Sequence, residues 1–529
     1  MSRPLRWLLA VTLVLGLAEL AWYVTSHVRS SRRISSGDLA GLTPVDVKPA
    51  QKLPPPEPIP PPRQLPPVPR STPLLAREPV SLTRTPPTLQ QLRTAAKTAN
   101  VVICVLDAAR ADHFGCYGYP RDTTPNFDRL AAHSVVFDQH FCQHTQTTSS
   151  TVSLLTSQYP DTHGVLGRMG QYVPGTAAFG PQLFTIEKGL RGAGYGTFLF
   201  SSNLCASPQT GVGTDFDHHK LLRRVSAQLD LLADQVASGQ GRPFFAYVHL
   251  MPPHGPYDAP PEMDKLFRDK KPPGYREGNA AFTLVTDPPL GPPPPANGPD
   301  WVNLYDANLR WADWAVGEIE RMLKQAGIFD STLLIVTADH GEAFREHGYE
   351  FHTTCPYDEV THIPLLIKFP GGNGPVGRVR ALTETVDVTP TVLDLLGVGY
   401  PRNQVQGASL LPLLTGEVPK LHDYVHTRTL GYSCEVIRSQ RAALLLYRGG
   451  KLRALYDLER DPGMTWNVLA QKPQEAAELT KAFREFAARQ AFPPLDFLEA
   501  GYVPKQSRAP ELKLSDETRR ELRAMGYIK

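Results

Sequence analysis

Cysteine is scarce, six residues in 529: Cys104, Cys116, Cys142, Cys205, Cys355 and Cys434. No pair has the spacing of a zinc module, and the six suggest no disulfide framework. Cys104 falls inside an apolar run and reads as a free core residue. Net charge is scarce too. Lys plus Arg total 55 against 52 Asp plus Glu, a balance of +3 with no basic domain, which argues against nucleic acid as the main partner. Hydrophobic residues at 41% and aromatics at 9% nevertheless describe an ordinary folded chain, long enough for one large domain with appendages.

One long apolar stretch is present. "WLLAVTLVLGLAELAWYV", residues 7–24, carries a single charge, Glu19, and follows Arg3 and Arg6. It is at the short end for crossing about 30 Å of hydrocarbon. Trp22 and Tyr23 suit the far interface, and Arg29, Arg32 and Arg33 leave the flanking charges nearly balanced. Residues 1–28 are expected to form an uncleaved membrane anchor with the bulk of the chain exported. A cleaved signal near Gly16-Leu17-Ala18 is the alternative. No cysteine follows the run, which argues against a lipoprotein.

Proline, by contrast, is plentiful and clustered. Sixteen prolines fall within residues 44–87, among them "PPPEPIPPPRQLPPVP". Proline lacks the backbone donor that helices and sheet ladders need, so the stretch favours extended polyproline geometry. At about 3 Å per residue, some forty residues reach on the order of 100 Å. Residues 29–97 are expected to be a linker, either a spacer from a membrane or unstructured filler.

From Asn100 the pattern changes. "NVVICVLDAAR", "GRPFFAYVHL" (241–250) and "STLLIVTADH" (331–340) are continuous apolar runs, as in parallel strands buried on both faces. Helical patterns lie between them: "NFDRLAAHSVVF" after Pro125, and "LYDANLRWADWAVGEIERMLKQAG" at 304–327. The alternation predicts an α/β fold with a mostly parallel sheet, whose ligands bind at the carboxyl ends of strands. Those ends are Asp107, His249 and Asp339-His340. Two carboxylates with an imidazole suit a divalent metal, zinc or manganese before calcium.

A hydroxyl-rich stretch, "TQTTSSTVSLLTSQYPDTHGV" at 145–165, places Thr145, Thr147, Thr148, Ser149, Ser150, Thr151 and Ser153 ahead of apolar residues. By itself it reads as a polar loop entering a helix with a Ser or Thr cap.

Eight landmarks add to this in order: "VLDAARADHFGCYGYPRDTTPNFDRLA", "SLLTSQYPDTHGV", "HLMPPHGPY", "TADHGEAFREHG", "PYDEVTHIPLLIKFPG", "TVDVTPTVLDLLGV", "QGASLLPLL" and "LYDLERDPGMTWNVLA". Together they resemble the sulfatase family, within the alkaline-phosphatase superfamily, over roughly residues 100–470. The resemblance implies a central mostly parallel sheet with helices on both faces and a smaller C-terminal antiparallel sheet. The latter would include "RAALLLYRGGKLRALYDL", with Gly449-Gly450 as a hairpin turn. The implied divisions are an anchor or signal at 1–28, a linker at 29–97, a catalytic domain at 98–415, and a C-terminal subdomain with tail at 416–529.

Sulfatases carry C/S-x-P-S-R ahead of x-x-L-L-T-G, the Cys or Ser being oxidised to formylglycine. Counting back from Leu154-Leu155-Thr156 places Thr147 at that position, with Pro and Arg also missing from "TTSST". Threonine carries an extra methyl on the carbon that would become the aldehyde, so it cannot yield formylglycine. Sulfatases also read Asp-Asp and Asp-Asn where this chain reads Asp107-Ala108 and Asp339-His340. Relatives with a Thr nucleophile, such as phosphoethanolamine transferases and nucleotide phosphodiesterases, hold zinc with the set that Asp107, Thr147, Asp339 and His340 match.

The resemblance thus implies one divalent metal, zinc or manganese favoured and calcium possible, since "HLMPPHGPY" lacks the Asp that a second would need. His254, His352 and His347 are candidates to hold ester oxygens or protonate the leaving group. His249 and Asn203, the latter where sulfatases often keep a basic residue, are lesser candidates. The expected protein is an exported, membrane-anchored hydrolase or phosphotransferase. Its substrate would be an anionic ester: a sulfated or phosphorylated glycan, lipid or small molecule. The rival reading is an inactive relative that only binds anionic glycans or lipids.

Overall fold

The computed structural model describes residues 79–489 apart from 84, 166–182, 223, 239–240, 269–298, 353–355, 373, 430–433 and 448–450. The anchor at 1–28, the linker up to residue 78, Cys355, Gly449-Gly450 and the tail beyond Arg489 lie outside the described residues. Among the described residues no helix is long and apolar enough to cross a membrane.

A nine-stranded sheet organises the chain. It takes β1 (Val80–Leu82), β2 (Asn100–Leu106), β3 (Val135–Phe137), β4 (Gly196–Ser201) and β5 (His218–Leu221). It continues with β6 (Phe244–Leu250), β7 (Thr332–Ala338), β8 (Leu365–Lys368) and β9 (Gly377–Val379). The spatial order is β1-β9-β3-β8-β7-β2-β6-β4-β5, and five of its eight pairings are parallel. Helices of seven residues or more are α1 (Leu89–Ala96), α2 (Pro125–Ala131), α3 (Thr147–Thr156) and α4 (Ile186–Gly192), followed by α5 (Val225–Ser238), α6 (Pro299–Gln325), α7 (Val388–Leu396) and α8 (Pro473–Arg489).

β2 is apolar throughout because alternate residues serve two cores. Val101, Ile103 and Val105 pack with Val152 and Leu155 of α3 and Val392 of α7. Val102, Cys104 and Leu106 pack on the other face with Leu309, Ala312 and Val316 of α6. A strand with both faces covered has no solvent side to record as alternation. Cys104, Cys116, Cys142, Cys205 and Cys434 are free thiols.

Two local expectations need correction. The helix expected over "NFDRLAAHSVVF" ends at Ala131, and Val135–Phe137 is strand β3. Ser134 Oγ donates to Leu130 O at 2.8 Å and closes the helix end, while the β-branched Val135 and Val136 favour the pleat. The folded part also begins before residue 98. β1 is an edge strand on β9, and α1 is capped by Thr88 and buries Leu92 and Ala96 in the core. Proline is tolerated at a sheet edge and ahead of a helix, so Pro79, Pro86 and Pro87 did not exclude these elements.

The second sheet is antiparallel: β10 (Val425–Arg428), β11 (Cys434–Arg438), β12 (Ala442–Tyr447) and β13 (Lys451–Asp457), in that order. One face packs Ile437, Leu444 and Leu455 on Leu479 and Phe483 of α8. The other packs Val436, Leu445 and Tyr456 on Tyr357 and Val360 of the larger part. Its edge strand β10 reaches the segment just ahead of α3. Arg428 N donates to Gln143 O at 3.0 Å, Thr145 N donates to Arg428 O at 3.2 Å, and the Thr427 hydroxyl donates to Cys142 O.

The buried Arg428 guanidinium binds Asp161 through Nη1 and Glu435 through Nη2, the latter at 2.9 Å. Arg428→Met should lower stability by about 3–5 kcal/mol, because it leaves buried carboxylates without their cation. Urea denaturation checks this; a loss below about 1 kcal/mol would show that the network does not hold the two sheets together.

Candidate active site

Strand register brings the acidic residues together. Leu106 at the end of β2 lies opposite Ala338 of β7 and Leu250 of β6. Asp107 and Asp339, the next residues on adjacent parallel strands, therefore leave the sheet side by side. Ligand atoms of Asp107, Asp339 and His340 all lie within 4.8 Å of one another. His340 Nε2 is 3.4 Å from Asp339 Oδ2 and 4.0 Å from Asp107 Oδ1.

The hydrogen bonds divide each group into committed and available atoms. Asp339 Oδ1 accepts from Ala108 N at 3.1 Å and from His340 N at 2.9 Å. Asp107 Oδ2 accepts from the Asn203 amide and lies 3.0 Å from His249 Nε2. The other oxygens, Asp107 Oδ1 and Asp339 Oδ2, are buried with no hydrogen-bond partner. His340 Nδ1 is 3.0 Å from Gly341 O. A carbonyl only accepts, so Nδ1 carries the proton and Nε2 presents its lone pair. Two orphaned carboxylate oxygens and one imidazole lone pair fit a divalent cation.

Charge follows the same geometry. Burial opposes the Asp107 charge, but His254, His249 and His340 outweigh it and hold that carboxyl well below the usual range. Burial and the neighbouring Asp107 charge push Asp339 up. Burial pushes the Glu342 carboxyl up to about 7.

The hydroxyl run becomes α3, which begins at Thr147, and all ten of its residues are buried. Its N-cap, Gln146, makes no side-chain capping bond. Thr147 Oγ1 lies 3.2 Å from His340 Nε2. Ser150 Oγ donates to Asp339 O at 2.6 Å, which ties the helix to the strand end. Ser153 Oγ lies 3.0 Å from His163 Nε2, and Thr156 Oγ1 donates to Val152 O at 2.7 Å. The helix N-terminus thus meets the acidic pair.

His352 stacks on His340 with ring centroids 4.1 Å apart, and His254 lies 5.1 Å from His352. His254 N donates to Asp107 O at 3.0 Å, and its ring Nδ1 bonds Gly255 O. His352 Nδ1 is 3.0 Å from Glu342 Oε1, whose other oxygen accepts from Tyr257 OH at 3.3 Å.

The structure therefore gathers Asp107, Thr147, Asp339, His340, His254 and His352, with His249 and Asn203 on Asp107. It does not bring His347 to this group. That ring stacks on Tyr357 at 3.7 Å, with Nδ1 2.7 Å from Glu359 Oε1 and Nε2 3.0 Å from Gly463 O. Both nitrogens are committed to the join with the C-terminal part. Glu342 and Tyr257 went unnoticed in the sequence, although Glu342 lies only two residues beyond His340.

The family profile described as Sulfatase matches residues 99–398, more than half of the chain. The chain belongs to the sulfatase family. Its members are metal-dependent ester hydrolases of the alkaline-phosphatase superfamily, and this chain has the family's architecture: a large, mostly parallel sheet and a small C-terminal antiparallel one. The profile described as N-sulphoglucosamine sulphohydrolase, C-terminal, matches residues 345–489.

Among sulfatase-family relatives, arylsulfatase K of Bos taurus is 27% identical over 285 residues, 47% of this chain and 52% of that protein. The chain thus spans about half the length of that relative. Iduronate 2-sulfatase of Homo sapiens is 23% identical over 512 residues, 83% of this chain and 84% of its own length. The solved phosphonate monoester hydrolase of Agrobacterium radiobacter superposes with a TM-score of 0.60 at 22% identity, over 74% of this chain and 95% of that one.

His347 supplies a test of its structural placement in this sulfatase fold. Burial opposes its charge, but the Glu359 carboxylate outweighs burial and raises the imidazole pKa to about 9. A raised folded-state value means its contribution is complete below the unfolded pKa of about 6.5. It is then lost as pH rises through about 9. His347→Gln should remove that decline in thermal stability while turnover persists; loss of turnover in a folded variant would return His347 to the chemistry.

Proposed function

We propose that this sulfatase-family protein cleaves or transfers a phosphate- or sulfate-type ester through Thr147, without formylglycine. The observation that carries the reading is the Thr147 hydroxyl, 3.2 Å from His340 Nε2 at the start of α3. Asp107, Asp339 and His340 would hold one cation, with Thr147 Oγ1 beside it. This donor set favours zinc or manganese over calcium. When bound, the metal supplies the positive charge that makes a threonine alkoxide accessible near neutral pH.

Thr147 Oγ attacks the phosphorus or sulfur, and the bond to the leaving alcohol breaks. The first-turn amides of α3 bind the non-bridging oxygens. His254 and His352, beside one another, are placed to give the leaving oxygen its proton. Water or a second alcohol then takes the group from Thr147, which regains its proton. A sulfated threonine lacks the elimination route open to a formylglycine hydrate, which favours phosphorus chemistry. The rival, an inactive binder of anionic glycans or lipids, gives no reason to leave Asp107 Oδ1 and Asp339 Oδ2 buried without partners.

Residues 7–24 support a further part of this reading: a membrane anchor with the catalytic domain on the periplasmic or extracellular side. Residues 1–28 should then carry the protein into the membrane fraction. A variant lacking them should appear in the soluble fraction with its activity intact; unchanged fractionation would reject the anchor.

A panel of sulfate esters, phosphate monoesters and phosphodiesters, each run with zinc, manganese and calcium, would identify the ester. Thr147→Ala should reduce turnover by several orders of magnitude with folding and metal content nearly unchanged. Thr147→Ser should keep much of the activity, and Thr148→Ala should be far milder. If Thr148 or Ser149 proves indispensable and Thr147 does not, the nucleophile assignment fails.

A further inference from the structure

Asp107 offers a cation one open oxygen, and the reason lies behind it. Its Oδ2 faces two donors: the Asn203 amide and His249 Nε2, the latter at 3.0 Å. Its Oδ1 is buried with no hydrogen-bond partner. The last torsion of an aspartate is soft, so a carboxylate turns unless something holds it. Cation binding needs the open oxygen kept in place.

Both donors are themselves fixed. Asn203 Oδ1 accepts from Cys205 N at 2.7 Å, so the amide nitrogen is the end that faces Asp107. His249 is fully buried in β6, and its backbone is paired on both sides, with Val105 of β2 and Ser201 of β4. Its carbonyl accepts from Ser202 N and from the Gln228 side chain of α5, each at 2.9 Å. The Tyr247 hydroxyl lies 3.2 Å from Nδ1 and holds the far end of the ring. Tyr247 is in turn sealed in the core that contains Val152 and Leu155 of α3.

The ring discriminates between the two acids. His249 Nε2 is within hydrogen-bond reach of Asp107 but 3.9 Å from Asp339 Oδ2. A carboxylate oxygen accepts, so Nε2 carries the proton and has no lone pair to offer a metal. His340 shows the opposite arrangement, with the proton on Nδ1 and the Nε2 lone pair towards the acidic pair. The two imidazoles therefore have different tasks, one as ligand and one as brace.

We propose that His249 is a positioning residue: it donates to Asp107 Oδ2 and so keeps Oδ1 turned towards the cation. The inference rests on the reading of Asp107, Asp339 and His340 as a cation site. It deepens that reading by naming the residue that sets the site's geometry.

The test exploits the two amide side chains. Glutamine can place its Nε2 near the position of the imidazole Nε2 and keep the donor. The asparagine amide ends near the position of Nδ1 and falls short of Asp107. Zinc is the probe, titrated into the metal-stripped full chain in competition with a chromophoric chelator. We expect His249→Asn to weaken zinc binding about 10–100-fold, the range for lost partners of metal ligands, and His249→Gln by less than about threefold. A purely structural role would give no such rescue by glutamine. Equal losses in both variants overturn the proposal and make the ring itself a ligand; no loss in either overturns it outright. His249→Leu, which also lacks the donor, replaces His249→Asn if the latter does not fold.

Asp339→Asn separates the brace from the cation site. Zinc binding that Asp339→Asn weakens and His249→Asn does not overturns the brace alone. Zinc binding that neither Asp339→Asn nor His340→Ala weakens, or none in the wild type, overturns the cation site and the brace with it.

Discussion

Two carboxylates on adjacent strand ends, both out of water, set the terms for the rest of this molecule. Asp107 and Asp339 are almost completely buried, and like charges in a poorly solvated interior repel strongly. Leaving such charges uncompensated costs several kcal/mol per ion. The surroundings respond on every side: His249, His254 and His340 crowd Asp107, the Asn203 amide donates to it, and backbone N–H groups take one oxygen of Asp339. The two remaining oxygens fit a cation, so the site's electrostatics and its chemistry share one origin.

That pair would be of little use without the hydroxyl beside it, and the position of α3 is determined from two directions. Ser150 fastens the helix to the backbone of Asp339. The small sheet holds the preceding segment through Arg428 and Thr427, whose partners are backbone groups of residues 142–145. Arg428 also carries the buried ion pairs to Asp161 and Glu435. The C-terminal sheet thus acts as a buttress for Thr147, while the hairpin around residues 343–351 leads directly into His352, which stacks on His340. The geometry of the candidate site depends on contacts between segments far apart in the chain, and small displacements at such contacts weaken positioning.

Much was legible before any coordinates. Continuous apolar runs ending in Asp107, His249 and Asp339-His340 read as buried parallel strands, because strands covered on both faces need apolar residues at every position. The missing Cys, Pro and Arg in "TTSST" were equally plain, and they are the ground for proposing chemistry without formylglycine. Other elements were not legible for local reasons. β1 and α1 lie among prolines that composition assigns to a linker, and only pairing with β9 and burial of Leu92 and Ala96 reveal them. "SVVF" continues a helical pattern on paper, yet joins the sheet.

The sequence by itself determined which chemistry-bearing residues were available and which strands carry them. Local patterns of polarity and branching encode that much. Which residues meet was decided by tertiary structure alone, because register between β2, β6 and β7 places Asp107, His249 and Asp339 at one point although the chain separates them widely. The same reason removed His347 from the group: its ring is drawn to Glu359, Tyr357 and the carbonyl of Gly463, partners that no motif spacing announces. It also brought in Glu342 and Tyr257, whose meeting depends on a loop after β6 facing a hairpin after β7.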